Sequence, residues 1–370
     1  MISFENRLKS LKDRRQGTKE RVLFENNMST HAAIDLRGPE SYELLAENAA
    51  IKYTIGAMAE VDPVSTRVSI DEGERVANTL IGLLNTVGIF ATKEIQGSVA
   101  LNIHIEGHSD VDMLILKDDI VLVQTPRVSG VSSTPDDRRP MVDIIRELRL
   151  QSEAKLTSRY HQATVNCNGN KSIALSGGSL KRKVDIVPAC WYHTHAYQQS
   201  RQKHDQEVKI YHKAEHVLYG NHPFLHIKKV NDKDSIYTGN LKRVVRLMKN
   251  VVADMPDYKK RVVKKLSSYD LTAIGYDMNE QLRCPAYMSL ALVDRLRAHL
   301  ALLVSSKVLR DVLVVPDGSR KVFDSEEKVN ALNILHDEIS DLAVSIYKSL
   351  QPFSQLPYNS STLVQKHVYL

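Results

Sequence analysis

The stretch GSVALNIHIEGHSDVDMLIL, residues 97–116, holds two chemical features in a fixed order. Gly97-Ser98 comes first. With no bulky side chain in the way, backbone amides and the Ser98 hydroxyl can close on a string of phosphates. Asp110-Val111-Asp112 follows and leads into the apolar run Met113–Leu116. Side chains alternate along a strand, so two aspartates at i and i+2 share a face and can hold magnesium beside a phosphate. Either feature alone is weak. Together they predict a strand, a phosphate-binding turn and a second strand that starts with its metal ligands.

Outward from this stretch, Ser69 to Gly88 is expected to be a helix, opened by a capping box of Ser69 and Glu72. Val76, Leu80, Leu83, Leu84 and Val87 share one face, and Gly88 closes it. Ile89–Ile95 is then the strand that delivers Gly97, and Val111–Leu116 the next. Asp118-Asp119 are expected in a solvated turn after that strand. Met141–Leu156 has helical periodicity, and Ala163–Asn166, Ser172–Leu175 and Val184–Val187 are short strands between Gly/Asn turns. Two aspartates cannot alone hold two cations in line with a reacting phosphate, so a third carboxylate is expected on a neighbouring strand. Asp185, flanked by Val184 and Ile186, fits.

Beyond Pro188 the chain turns basic and His-rich. From about Gly239 it is mostly helical, with Leu241, Val244, Val245, Met248, Val251 and Val252 striping a helix that Pro256 stops. Further helices are expected near Pro285–Arg310 and over Asp324–Leu350, the latter with Asp324 and Glu327 as its capping box. Lys249 lies at the edge of the apolar stripe, where a lysine ordinarily snorkels. Ser267-Ser268-Tyr269 would ordinarily be a helix cap.

The chain has 370 residues, enough for two lobes, with 42% hydrophobic and 25% charged residues. The N-terminus is too charged for a secretory signal and no apolar stretch is long enough for a bilayer. Cys167, Cys190 and Cys284 show no paired spacing, so reduced thiols and a cytoplasmic location are expected. Net charge is +6, concentrated in residues 201–265, where 16 Lys/Arg face 7 Asp/Glu. Such a block suits nucleic acid, nucleotide phosphates or a solvated face. His193/His195 could share a strand face and His212/His216 a helical face, but no cysteine or carboxylate completes a zinc set.

With these residues in place, the chain resembles the cyclic GMP-AMP synthase-like nucleotidyltransferases, the CD-NTases of bacterial antiphage (CBASS) signalling, within the polymerase-β-like superfamily. The Gly-Ser loop, Asp110/Asp112 and Asp185 are shared across that superfamily. Arg246-Leu247-Met248-Lys249 followed by Leu266-Ser267-Ser268-Tyr269 points to this branch. The resemblance covers roughly residues 70–350. It implies an α+β fold: a polymerase-β-like lobe with a mixed sheet and a C-terminal helical lobe, with the active site in the cleft between. The expected divisions are an N-terminal helical segment (1–68), the catalytic core (69–190) and the helical lobe (191–370).

The resemblance implies that Asp110, Asp112 and Asp185 are catalytic and hold two Mg2+, with Mn2+ as a substitute. It also implies that Gly97, Ser98, Lys249 and Ser268 bind nucleotide phosphates and that Tyr269 stacks on a base. Asp185 would lie nearest the attacking ribose hydroxyl. ATP and/or GTP would be joined into a cyclic di- or oligonucleotide with release of pyrophosphate, and a product-sensing effector protein would be the partner. Neither nucleic acid nor membrane is expected to be required. The rival is a transferase acting on RNA ends or a small-molecule acceptor. The chain departs from many relatives in reading Val-Ala-Leu-Asn after Ser98, in lacking the cysteines of a zinc thumb, and in ending His-Val-Tyr-Leu, without the small terminal residue used for tail conjugation.

Overall fold

The computed structural model describes residues 3–26, 39–128 and 137–369, the side chains of 16–26 excepted. Residues 27–38 of the expected N-terminal helical segment therefore lie outside the described residues. The chain divides into two compact units: Asp62–Leu101 with Ser109–Lys229, and Met1–Val61 with Asn102–His108 and Val230–Leu370.

The first unit is built on a mixed, seven-stranded sheet. Its strands are β1 (Ala91–Gln96), β2 (Val111–Val123), β3 (Thr164–Asn166), β4 (Ile173–Ser176), β5 (Val184–His193), β6 (Glu207–His212) and β7 (Val217–Asn221). The order is β1-β2-β5-β4-β3, with β6 pairing both β5 and β7. Only the central pair β2/β5 is parallel among these ladders. Because strand side chains alternate, β2 feeds two cores at once. Val111, Met113 and Ile115 pack with the helices Pro63–Asn85 and Met141–Arg159 through Val76, Leu80, Ile144 and Leu148. Leu114 and Leu116 join Val187, Ala189, Val208 and Phe224 on the opposite face. A sheet covered on both faces accounts for the unbroken apolar runs.

β5 extends to His193, through Pro188. Proline cannot donate to a ladder. Pro188 is accommodated because β5 pairs with β4 only as far as Ile186 and with β6 from Ala189 onward. It stands at the handover, opposite Ile115 of β2 on the other side.

Several boundaries differ from expectation. The helix expected from Ser69 starts at Pro63, with Asp62 as its cap, accepting from the Val64 amide at 2.8 Å. Ser69 instead bonds back to the Ser65 carbonyl at 3.0 Å. Glu72, free of capping, takes the Lys181 amide at 3.0 Å and the Arg75 guanidinium at 2.8 Å. Val87 is exposed rather than on the core stripe. Asp118-Asp119 are exposed as expected, yet they lie inside β2, where the register shifts between Lys117 and Leu122. The long C-terminal helix, Glu326–Leu350, is capped at Ser325 without a side-chain bond, and Asp324 pairs with Lys328 instead.

The second unit is helical. The helix Asn240–Ala253 lies at its centre, and Leu241, Val244, Val245, Leu247, Met248 and Val251 are all fully buried. Burial extends well beyond the apolar stripe, to Arg246, Lys249 and Asn250 on the polar side of the helix. Asn250 donates to the Ala57 carbonyl at 2.9 Å, and the Tyr53 hydroxyl donates to Asp254 at 3.0 Å. The N-terminal helix Phe4–Asn26 is tied in by ion pairs: Arg7 with Glu338, which also takes Lys259 at 2.6 Å, and Arg14 with Asp254.

Candidate active site

The carboxylate pair is set by strand register. In the parallel β2/β5 ladder Asp112 pairs directly with Asp185, and in the antiparallel β1/β2 ladder Asp112 pairs with Gln96. By alternation, Asp112 and Asp185 emerge on the face that further along carries Leu114, Leu116, Val187 and Ala189. Asp110, just ahead of β2, is close enough to act electrostatically on Asp185. All three are half-buried.

Gly97 turns the chain straight out of β1 into a single helical turn, Gly97–Ala100, that contains Ser98. Its φ of +75° is the left-handed region that favours glycine. Space demands glycine as well, because a Cβ here would stand 2.2 Å from Asp112 Oδ2. The backbone of the Gly-Ser turn is therefore pressed against one of the carboxylates. Gln96 is held in turn by Asn221, whose amide donates to it at 3.2 Å.

Asp185 is perturbed by its surroundings. Burial raises its pKa above the ordinary aspartate value, and the negative charge of Asp110 raises it further. A hydrogen bond from the Ser172 hydroxyl at 3.2 Å and the charge of Lys183 act in the opposite direction. Ser172 was not singled out in the sequence, since only the β4/β5 pairing brings it to Asp185. The basic run before Asp185 is structural in part: Arg182 donates to the hydroxyls of Ser69 and Ser65 at 3.2 and 3.1 Å. With the Lys181–Glu72 bond, this fixes the entry of β5.

Among the described residues, no group of three or more His, Cys, Asp or Glu side chains is already gathered at metal-holding distance. The donor set still fits a hard divalent cation. It is all oxygen, it is partly dry, and its charges are close enough that Asp110 adds to burial in raising the pKa of Asp185. The histidine pairs fall apart as metal sites. His193 ends β5 while His195 opens the helix His195–Ser200, and its ring lies 2.8 Å from the Pro126 carbonyl. His212 and His216 flank the β6–β7 turn and not a helical face.

The other expected nucleotide ligands belong to the helical unit. Lys249 is only 8% exposed, so it does not snorkel into solvent. Its helix is anchored one turn earlier by Arg246, which donates to the carbonyls of Met58 and Asn102, both at 2.8 Å. Ser267 caps the helix Ser268–Asp277 in a capping box with Asp270, leaving Ser268 exposed at the first helical position and Tyr269 half-buried. The capping and nucleotide-binding readings therefore fall on adjacent serines.

No family model matches the chain. Over 363 residues it is 31% identical to the Cyclic dinucleotide synthase CdnE of Yersinia aleksiciae, across 94% of this chain and 93% of that one. The chain belongs to the CD-NTase family of nucleotidyltransferases. Among solved CD-NTases, the STING-associated CdnE c-di-GMP synthase from Capnocytophaga granulosa matches with a TM-score of 0.68 and 27% identity, over 95% of this chain and 100% of that one. The STING-associated CdnE c-di-GMP synthase from Flavobacteriaceae sp. matches in fold, with a TM-score of 0.71 at 23% identity over 94% and 99%. The polymerase-β-like architecture expected from the resemblance is that of these CD-NTases. Among the described residues, no helix is long and apolar enough to cross a membrane.

Proposed function

We propose that this CD-NTase is a magnesium-dependent synthase of a cyclic dinucleotide, made from GTP and/or ATP with release of pyrophosphate, and that its product signals to an effector protein in antiphage defence. The observation that carries the reading is the register of Asp112 against Asp185 beside the Gly97 turn, in a chain that matches a cyclic dinucleotide synthase along nearly its whole length. Other relatives are named c-di-GMP synthase, which favours GTP as a substrate and a ring of two nucleotides.

Asp110, Asp112 and Asp185 would hold the divalent cations. Bound there, these ions neutralise triphosphate charge and lower the pKa of the attacking ribose hydroxyl. The Gly97-Ser98 turn offers amides and a hydroxyl to the phosphates. Asp185, which would lie nearest the attacking hydroxyl, would help take its proton. In the helical unit, Lys249 and Ser268 would take the donor triphosphate and Tyr269 a base. The chain contributes positioning and fixed charge, which is what phosphoryl transfer requires.

Nucleic acid has no role in this reading. Much of the positive charge in residues 201–265 is spent internally: Lys209 on Glu207, Lys213 on Glu153, Lys242 on Asp234, Lys259 on Glu338 and Lys265 on Glu327. The test is incubation of nuclease-treated protein with the four ribonucleoside triphosphates and magnesium, followed by mass spectrometry. A cyclic dinucleotide is expected. An extended RNA end or a nucleotidylated small acceptor, with no cyclic product, would overturn the proposal.

A further inference from the structure

The helical unit contains a pocket of about 580 Å3 that the proposed nucleotide ligands do not line. Its size is that of an ordinary small-molecule site. Two guanidinium groups, of Arg243 and Arg246, share it with the apolar side chains of Met58 and Ala286 and the rings of Tyr287 and Tyr369.

The charges are poorly matched. Arg246 is only 3% exposed. It donates to two neutral carbonyls, and its ion-pair partner, Glu60 at 3.6 Å, is a largely solvated side chain on the same pocket. Asp234 acts on Arg246 from further away, while its carboxylate already accepts the Lys242 amide at 2.9 Å. Among the described residues, Arg243 bonds only neutral oxygens, Asn240 Oδ1 at 3.1 Å and the Ser289 hydroxyl. Burial lowers the pKa of Arg246 to about 10 and lowers that of Arg243 as well. A guanidinium gains most from a planar anion that accepts two parallel bonds, and it gains more where water is scarce.

The C-terminal segment supplies one wall. The Val368 amide donates to the Tyr287 carbonyl at 2.8 Å, and the Tyr369 ring stacks on Tyr287 with centroids 5.7 Å apart. Tyr369 is nevertheless 70% exposed, so the wall is held by few contacts.

We propose that this pocket is a second ligand site, separate from the nucleotide site, for a small organic anion with an aromatic or aliphatic body. Its carboxylate, sulfonate or phosphate is taken by Arg243 and Arg246. Its body lies on Met58, Ala286 and the two tyrosines, and so pins the C-terminal segment in place.

Anilinonaphthalene sulfonate, an aromatic body with one anionic group, serves as the probe, read by its fluorescence on the full-length protein. Saturable one-to-one binding is expected, undisturbed by a non-hydrolysable nucleoside triphosphate. Arg243→Ala should weaken it at least about tenfold, the loss of a charge-assisted hydrogen bond. Ala286→Phe, which fills the pocket, and Tyr369→Ala, which removes a wall at an exposed position, should weaken it too. Melting curves identify any variant that fails to fold, and Tyr369→Ala keeps the test open if Arg243→Ala does so. Binding that is unsaturable, that survives all three substitutions, or that yields to triphosphate would overturn the proposal. Equal affinity for the uncharged phenylnaphthylamine would overturn the anionic part.

Discussion

Asp112 and Asp185 lie in direct register across a parallel strand pair, and the turn at Gly97 leaves no room for a Cβ beside the Asp112 carboxylate. The backbone ladder holds the two residues at the same level of the sheet, and the Ser172 hydroxyl steadies the Asp185 carboxylate at 3.2 Å. This is the form of pre-organisation that favours catalysis by positioning.

Substituting Asp110→Asn together with Asp112→Asn should reduce pyrophosphate release below about a thousandth of the parent rate, since carboxylates that hold metal cannot be replaced by amides. Both side chains are only half-buried, so the fold should survive, and the melting temperature is expected to stay within about 2 °C of the parent. A double variant that turns over normally with magnesium would remove these residues from the reaction.

Gly97→Ala tests the turn. The methyl group meets Asp112 Oδ2 and the backbone sits at positive φ, so this one substitution moves both the phosphate-binding turn and a carboxylate. Activity should be lost, with a stability cost of about 1–2 kcal/mol for the left-handed backbone. Assay of product alongside urea denaturation separates the two effects.

Lys249→Ala should weaken binding of a nucleoside triphosphate at least about tenfold, while leaving the nucleoside nearly unaffected, because an ammonium makes charge-assisted bonds to phosphate. Tyr269→Ala should weaken both alike, by the roughly 1–3 kcal/mol of a base-stacking surface. Calorimetry with a non-hydrolysable triphosphate and with the nucleoside reads the difference. Unchanged triphosphate affinity in both variants would take the helical unit out of nucleotide recognition.

Glu207 provides a pH-dependent prediction away from the active site. Burial works to raise its pKa, but hydrogen bonds from His222 at 3.2 Å and Lys209 at 2.7 Å outweigh it and hold the value below the ordinary 4.5. A carboxyl whose folded pKa is depressed stabilises the protein above its unfolded pKa, and the contribution is lost as pH falls through the folded value. Glu207→Gln should therefore cost about 1–3 kcal/mol at neutral pH, the cost of leaving buried partners unsatisfied. The difference from the parent should shrink below about pH 4 in denaturation curves.

Much of this molecule can be read in its sequence where the signal is local. The Gly97-Ser98 turn, the strand that begins at Val111 and the striped helix around Lys249 all follow from residue spacing. The boundaries were harder. Asp62-Pro63 is a good helix start, with an oxygen acceptor at the cap and proline at the first turn, but Ser69 and Glu72 offer the same local signal seven residues later. Only the packing decides, by giving Glu72 to Lys181. Residues at i and i+4 fit a helix face or the two arms of a tight hairpin equally well, which is why His212 and His216 were misplaced. Ser172 beside Asp185, and the burial of Lys249, depend on partners far away in the chain. No window of sequence contains them.

The break at Pro188 divides β5 into two halves with separate tenants on one edge. The upstream half carries Asp185 and is braced by β4. The downstream half carries the β6–β7 hairpin. The two backbone ladders are thus separate, and outside β5 they are joined by Lys213 of the β6–β7 turn, whose amide reaches the Asn170 carbonyl of the loop that carries Ser172. A change of shape in that turn is therefore felt at the loop beside the carboxylate pair, which couples the outer hairpin to the catalytic edge of the sheet.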